Sequence, residues 1–396
     1  MAVQQPPSRS APKTSFFNDP IIRGRIYQLA FAGLVIAGFV WIGLNTAANL
    51  ERQNKTTGFD FFFSTAGFDI FFTLIPYSRA SLYWEAFVVG LLNTLLVSVI
   101  GIVLATFLGF TLGVARLSSN WIISQLATLY IEIIRNIPLL LQLFFWYFAV
   151  LKAMPGVRES YIFLGDFVLN NRGLYTPRPE FDERFVWVTA AIVLAFIGIW
   201  FLRRSARKRL ETTGQRTPVL LISLGALIVF PGLVLLLSGS HVTFNNPVLS
   251  GFNYKGGFEF PPELVALLLG LVIYTAAFIA ENVRSGILAV DKGQTEAAQS
   301  LGLKDGDRLR LVVIPQAMRV IVPPLTSQYL NLTKNSSLAA AIGYPELVSV
   351  FMGTTLNQTG RAIEVVFITM LVYLTLSLST AALMNWYNAR VALEER

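Results

Sequence analysis

The stretch "AFVVGLLNTLLVSVIGIVLATFLGFTLGVA", Ala86 to Ala115, runs for 30 residues without a charged side chain. A helix rises about 1.5 Å per residue, so roughly 20 such residues cross a hydrocarbon core of about 30 Å. Helices buried in soluble domains rarely run so far without a charge, so Ala86 to Ala115 reads as a membrane span. The pattern recurs at Ile26–Leu50, Asn136–Leu151, Phe185–Leu202, Thr217–Tyr254 (apolar as far as Leu237), Leu264–Ala280 and Val365–Ala389. The two shortest runs must borrow polar residues at their ends. Val320–Ile342 is apolar apart from Lys334 and its small polar neighbours, and it completes a count of about eight spans. The whole chain of 396 residues agrees, with 54% hydrophobic and 14% charged residues. Soluble domains carry roughly 25% charged residues. The expected fold class is an all-α membrane protein with about eight transmembrane helices.

Other classes fall away on composition. A disulfide scaffold is excluded because there is no cysteine. Disorder is excluded by 31 Phe, 13 Tyr and 7 Trp. Residues 1–25 form a Pro/Ser-rich segment, and the 26–50 span is too long for a signal-peptide core of about 7–15 residues. It reads as a retained, extra transmembrane helix. Placing the N-terminus inside puts most of the 31 Lys and Arg, including the run "RRSARKRLETTGQR", on the cytoplasmic side. Both termini, including a short tail at 390–396, are then cytoplasmic. The same bias accounts for the formal charge of +8 without a nucleic-acid partner.

Catalytic chemistry is poorly represented. The single histidine, His241, lies in an expected outer loop beside Ser238 and Ser240 and reads as a solvated bystander. No Cys/His cluster offers a zinc site, and no G-x-x-x-x-G-K-[ST] loop is present to cradle ATP phosphates. No enzyme and no cofactor are expected in this chain; ATP, if used, must be bound by another one.

The most informative stretch lies between the sixth and seventh spans: "ENVRSGILAVDKGQTEAAQSLGLKDGDRLRLVVIPQAMR". Thr295 is suited to cap a short helix whose first turn holds Glu296, Ala297 and Ala298. Gly302 would end it, and Pro315 would break the following apolar segment as it re-enters the membrane. Such a projecting helix could pass force to a docked partner, or it could be an ordinary solvated loop.

Glu296-Ala297-Ala298, Gly302, Val312, Ile314 and Pro315 resemble the EAA loop of ABC-importer inner-membrane permeases, with Val312 and Ile314 as conservative departures. "AENVRSGI", "GLLNTLLVSVIG", "EIIRNIPLLLQLFFWYF" and "KNSSLAAAIGYPEL" are similar to the polar amino-acid branch of that family (the HisMQ type). The resemblance covers roughly Phe87 to Tyr387, apart from the middle. It implies a MetI-like fold and a coupling role for Glu296, Ala297, Ala298, Gly302 and Pro315 against a separate ATPase.

Small permeases of this branch have a five-span core. Spans two, three, six, seven and eight would supply it, as a permease domain over 86–389. Span one and a helical pair inserted at about 152–262 are then additions. This enlarged form most resembles one permease chain of the general L-amino acid uptake systems (the AapQ type). The implied partners are a second permease chain, ATP-binding subunits and a periplasmic substrate-binding protein, within a bacterial inner membrane and its lipid.

Candidates for the substrate path are the charged and polar residues near or within spans: Lys334, Asn335, Ser336, Ser337, Glu281, Arg284 and Arg135. An amino-acid zwitterion needs an acceptor for its ammonium and donors for its carboxylate, and such groups are costly in a membrane unless they face a cavity. The competing reading pairs Glu281 with Arg284, three residues apart on one helix face, and lets Arg135 snorkel. Lys334 to Ser337 would mark a break in span seven. Gly101, Ala105, Gly109 and Gly113 form a small-residue face, for a subunit contact or for packing within the chain. The function expected from these features is an L-amino-acid permease subunit coupled to ATP hydrolysis elsewhere. An ion-coupled secondary transporter is the rival and would require acidic residues deep in the spans. A structural or sensor protein is a further one; neither explains the Glu-Ala-Ala loop.

Overall fold

The structure, a computed structural model, describes residues 20–52, 58–215 and 217–391. The expected N-terminal segment before residue 20, Arg216 and the tail from residue 392 lie outside the described residues. The helices in order are α1 (Pro20–Arg52), α2 (Tyr83–Arg116), α3 (Trp121–Asn136), α4 (Leu139–Phe144), α5 (Phe185–Thr213) and α6 (Val219–Ser238). There follow α7 (Pro262–Leu288), α8 (Lys292–Ser300), α9 (Asp305–Arg308), α10 (Ile314–Asn335), α11 (Leu356–Thr359) and α12 (Ala362–Val391). Among the described residues seven helices are long and apolar enough to cross a membrane, or eight if the bent pair of α3 and the helix from Leu139 to Leu151 is one span.

The spine is α2 against α7. A Cβ on Gly109 would lie 2.6 Å from Ile279 Cβ, and one on Gly113 would lie 2.7 Å from the Ala280 carbonyl and from Val283 Cβ. The pairs Gly109–Ile279 and Gly113–Val283 keep one register, so the two helices run parallel. Absent side chains let the backbones close up, which is what holds helices together where lipid supplies no hydrophobic drive. Gly101 receives Leu332 of α10 in the same way. The small-residue face therefore packs within the chain, and the subunit-contact reading is not needed for it.

The expected third run, Asn136–Leu151, is only the second limb of a bent pair whose first limb is α3. α3 and the helix from Leu139 to Leu151, α-helical and then π-helical, meet at 106°. Pro138 causes the turn: the residue before a proline avoids the α region, and Ile137 is extended at φ −102°, ψ 127°. Gln142, itself buried, donates from Nε2 to the Ile134 and Ile137 carbonyls at 3.0 Å each and so satisfies the opened backbone. The pair still crosses. Ser124, near its start, bonds the Arg116 carbonyl at the end of α2, while Tyr147 reaches Glu263 at the start of α7.

Between the membrane helices the all-α expectation needs an addition. Strands β1 (Tyr161–Phe163), β2 (Phe167–Asn170), β3 (Gly173–Thr176) and β4 (Arg178–Phe181) precede α5, and β5 (Val242–Asn245), β6 (Val248–Ser250), β7 (Asn253–Lys255) and β8 (Phe258–Phe260) follow α6. β3 pairs with β8 and β4 with β5, so the segments before α5 and after α6 are zipped together over those ends of the α5–α6 hairpin. Asp182, just before α5, accepts a hydrogen bond from the Ser240 hydroxyl after α6, which holds its carboxyl below the usual range. His241 is exposed there, its Nδ1 2.6 Å from the Gly239 carbonyl. α5 and α6 pack mainly on each other.

Candidate coupling loop and translocation cavity

α8 stands beyond the end of α7. Its cap is Asp291, whose carboxylate accepts the Gly293 N–H at 2.6 Å. Thr295 lies inside the helix, so the expected Thr295 cap is corrected, and Glu296, Ala297 and Ala298 occupy the second half rather than the first turn. The aspartate wins because it leaves room for a full turn before Glu296 and places an anion at the positive helix end.

The other end behaves as expected. Gly302 has φ +72°. Its N–H bonds the Gln299 carbonyl at 2.8 Å, and the Leu303 N–H bonds the Ala298 carbonyl at 3.2 Å. These two bonds are the Schellman closure, which needs a residue at positive φ. Ala298 is buried, while Glu296, Ala297 and Leu301 are exposed. The Glu296 carboxylate has no partner among the described residues, and Gln316 ties α10 back to Gln294 on α8 at 3.2 Å.

Pro315 does not break the returning segment. A single helical rod runs from Gly306 to Ile342, with a π-helical turn at Leu309–Val313 just before the proline. Proline lacks an N–H and crowds the carbonyl four residues back. Widening that turn accommodates both, with Ile314 donating five residues back to Leu309.

The second feature is a polar cavity of about 320 Å³ between α7 and α10, lined by Tyr274, Thr275, Phe278, Gln328, Asn331 and Asn335. The three carboxamides share one face of α10 at three- and four-residue spacing. None of their side chains is hydrogen-bonded within the described residues. The Arg135 guanidinium is exposed and lies over the ring of Phe278, one of the lining residues, 5.2 Å from its centroid.

The other expected path residues divide. Asn335 lines the cavity, and Lys334 is exposed on the adjoining face. The α-helix ends at Asn335 and tightens to 3₁₀ over Ser336–Ile342, where the break was expected. Ser336 is fully buried and bonds the Thr333 carbonyl at 2.7 Å, and Ser337 bonds the Lys334 carbonyl at 2.7 Å; both are satisfied locally.

Glu281 and Arg284 pair with each other at 2.6 Å, and Arg116 joins them at 2.5 Å while reaching Glu132 at 3.3 Å. That cluster locks α2, α3 and α7 together and lies outside the cavity lining. Tyr274, Thr275, Gln328 and Asn331 escaped the sequence reading. Gln328 and Asn331 share the face of the expected Asn335, and that helical stripe is readable in the sequence.

Among the described residues no group of three or more His, Cys, Asp or Glu could hold a metal ion. The family of binding-protein-dependent transport system inner membrane components matches residues 196–393. The chain is 50% identical over 379 residues, 96% of this chain and 94% of the relative, to the general L-amino acid transport system permease protein AapQ of Rhizobium johnstonii. It is 42% identical over 422 aligned positions, 99% of both chains, to the glutamate/glutamine/aspartate/asparagine transport system permease protein BztB of Rhodobacter capsulatus.

Proposed function

This chain belongs to the binding-protein-dependent transport system inner membrane components, and from that premise we propose that it is the permease subunit of an ATP-driven importer of L-amino acids. It works beside a second permease chain, ATP-binding subunits and a periplasmic substrate-binding protein, with both termini cytoplasmic. The five-span core is α2, α3–α4, α7, α10 and α12, within a permease domain over 86–389. α1 and the insertion at about 152–262 are peripheral. Against the ion-coupled alternative, Glu281 and Glu132 are engaged by arginines, and the one fully buried acid among the described residues, Glu346, has its carboxylate held by the Val348 and Ser349 N–H groups and the Tyr373 hydroxyl.

The observation that carries this reading is the polar face of α10. Ser327, Asn331 and Lys334 are exposed on a membrane helix, beside the open side of the cavity. Lipid does not tolerate such a stripe cheaply, so it must face water or another chain. A second permease across that face would enclose an aqueous path. The carboxamides of Gln328, Asn331 and Asn335 offer donors and acceptors to a zwitterion, and Arg135 and Lys334 stand ready for a carboxylate. At the inner end, α8 offers the ATPase the unpartnered Glu296 and the protruding Leu301.

Reconstitution with the partner subunits tests both halves. Asn331→Leu should abolish amino-acid uptake while ATPase subunits still co-purify. Gly302→Val should uncouple uptake from ATP hydrolysis, because β-branched residues resist positive φ. Normal uptake by Asn331→Leu would remove the α10 face from the path, and normal coupling in Gly302→Val would remove α8 from the ATPase contact.

A further inference from the structure

The α5–α6 hairpin has one end unlike the other. On α5, Arg203, Arg204, Arg207, Lys208 and Arg209 crowd into two turns. Glu211 is the acid beside them, bonded to Arg207 at 3.1 Å with both side chains largely exposed. Arg203 has no ion pair or hydrogen bond among the described residues. The Arg204 guanidinium lies over Trp200, 5.7 Å from the ring. Tryptophan favours the membrane–water boundary, so Trp200 marks headgroup depth and the arginines lie at and just beyond it.

Two clefts run along the seam between the helices at this end. The outer, of about 290 Å³, is lined by Arg203, Ala206, Arg207, Leu210, Thr217 and Val219. The inner, of about 210 Å³, has Phe196, Trp200 and Leu227 among its apolar walls and shares Arg203 with the first. Ser223 lines it too, nine-tenths buried, with an Oγ that has no hydrogen-bond partner. A buried hydroxyl without a partner in an apolar wall costs free energy unless something bonds it. The seam thus presents cationic groups at headgroup depth, a lone hydroxyl below them, and apolar walls below that.

We propose that this seam binds one anionic glycerophospholipid of the surrounding membrane, with its phosphate between Arg203 and Arg207. An ester carbonyl accepts from Ser223 Oγ, and an acyl chain lies along Phe196 and Leu227, below Trp200. Basic pockets between membrane helices select anionic headgroups by charge, and the apolar cleft separates a lipid from a free anion. The site is independent of the substrate path, since the hairpin stands apart from the α7–α10 cavity.

Native mass spectrometry of the full chain with its partner subunits, delipidated and offered equal phosphatidylglycerol and phosphatidylethanolamine, tests it. Phosphatidylglycerol should be retained at least tenfold better, and millimolar inorganic phosphate should leave it in place. Arg203→Gln with Arg207→Gln should weaken retention about thirtyfold. Ser223→Val, which keeps every charge, should weaken it several-fold. Arg178→Gln with Lys255→Gln, in the β-layer at the opposite end, should change nothing. Equal retention of the two lipids by the wild type, or displacement by phosphate alone, overturns the proposal without reference to any variant. So does wild-type retention by the double arginine variant, or an equal loss in the control.

Discussion

The α2–α7 pair and the α5–α6 hairpin are both membrane-spanning and both apolar, yet they solve opposite problems. Of the most apolar stretch of α7, 56% is buried within the protein, against 11% for α6, although α6 is the more hydropathic of the two. Hydropathy reports that a helix suits lipid. It does not report that the helix is central. In water the most apolar segment goes inside; in a bilayer, tails are as apolar as leucine, and close contact must come from small residues and paired polar groups. The helices with glycines, alanines and ion pairs are therefore the core, and the leucine-rich hairpin is the rim.

Glycine substitution breaks this comparison most sharply. Gly113→Val forces a side chain into the Ala280 carbonyl and Val283, where backbone blocks any easy retreat. The expected result is loss of folded protein, or a destabilisation of about 3 kcal/mol or more. Gly198→Val in α5 and Gly225→Val in α6 meet nothing within 4 Å and should leave yield and melting temperature unchanged. Equal damage at both places would mean that the hairpin is packed as tightly as the spine.

Charge offers the next contrast. Glu281→Gln leaves Arg116 and Arg284 half-buried without their shared carboxylate, at an expected cost of about 2–3 kcal/mol. Glu211→Gln loses only an exposed pair four residues apart and should cost less than about 0.5 kcal/mol. Thermal unfolding of the purified assembly measures both, and a Glu281→Gln protein melting like wild type would reduce the cluster to a surface feature. A third test lies at the bend. Gln142→Leu removes the two bonds that satisfy the Ile134 and Ile137 carbonyls, so a loss of about 1–3 kcal/mol is expected. An unchanged melting temperature would show the bend to be held by Pro138 alone.

The contrast also explains what was legible in the sequence. Spans announce themselves by length without charge, because that constraint is one-dimensional, and Ala86 to Ala115 needed no partner to be read. Gly302 was legible because its conformation is local. The cap of α8 was not, since Thr295 and Asp291 are both good caps and only the helix start decides between them. The cavity was harder still: Asn331 and Thr275 become neighbours only when α7 and α10 pack. The strands hid for another reason. Each has three or four residues, and their pairing joins segments on either side of the hairpin, from Tyr175 to Glu259.

That β-layer supplies the smallest and most local test of the rim. Tyr175 is almost fully buried, and burial pushes its phenol up to about 12. Its hydroxyl lies 3.0 Å from Asn253 Oδ1 and 3.2 Å from Glu259 Oε1, so one group joins β3, before α5, to β7 and β8, after α6. Tyr175→Phe keeps the ring, which sits 5.5 Å from that of Tyr254, and deletes only the hydroxyl. Asn253 and Glu259 are near enough to the surface to turn to water, so the cost should be about 1 kcal/mol or less. Global melting should barely move. Hydrogen exchange should quicken in residues 173–176 and 253–260 while α7 stays protected, because the rim opens without the spine. Faster exchange in α7 would mean that the two regions unfold as one body, and an unaltered β-layer would mean that the strand pairing holds the flanking segments without this hydroxyl.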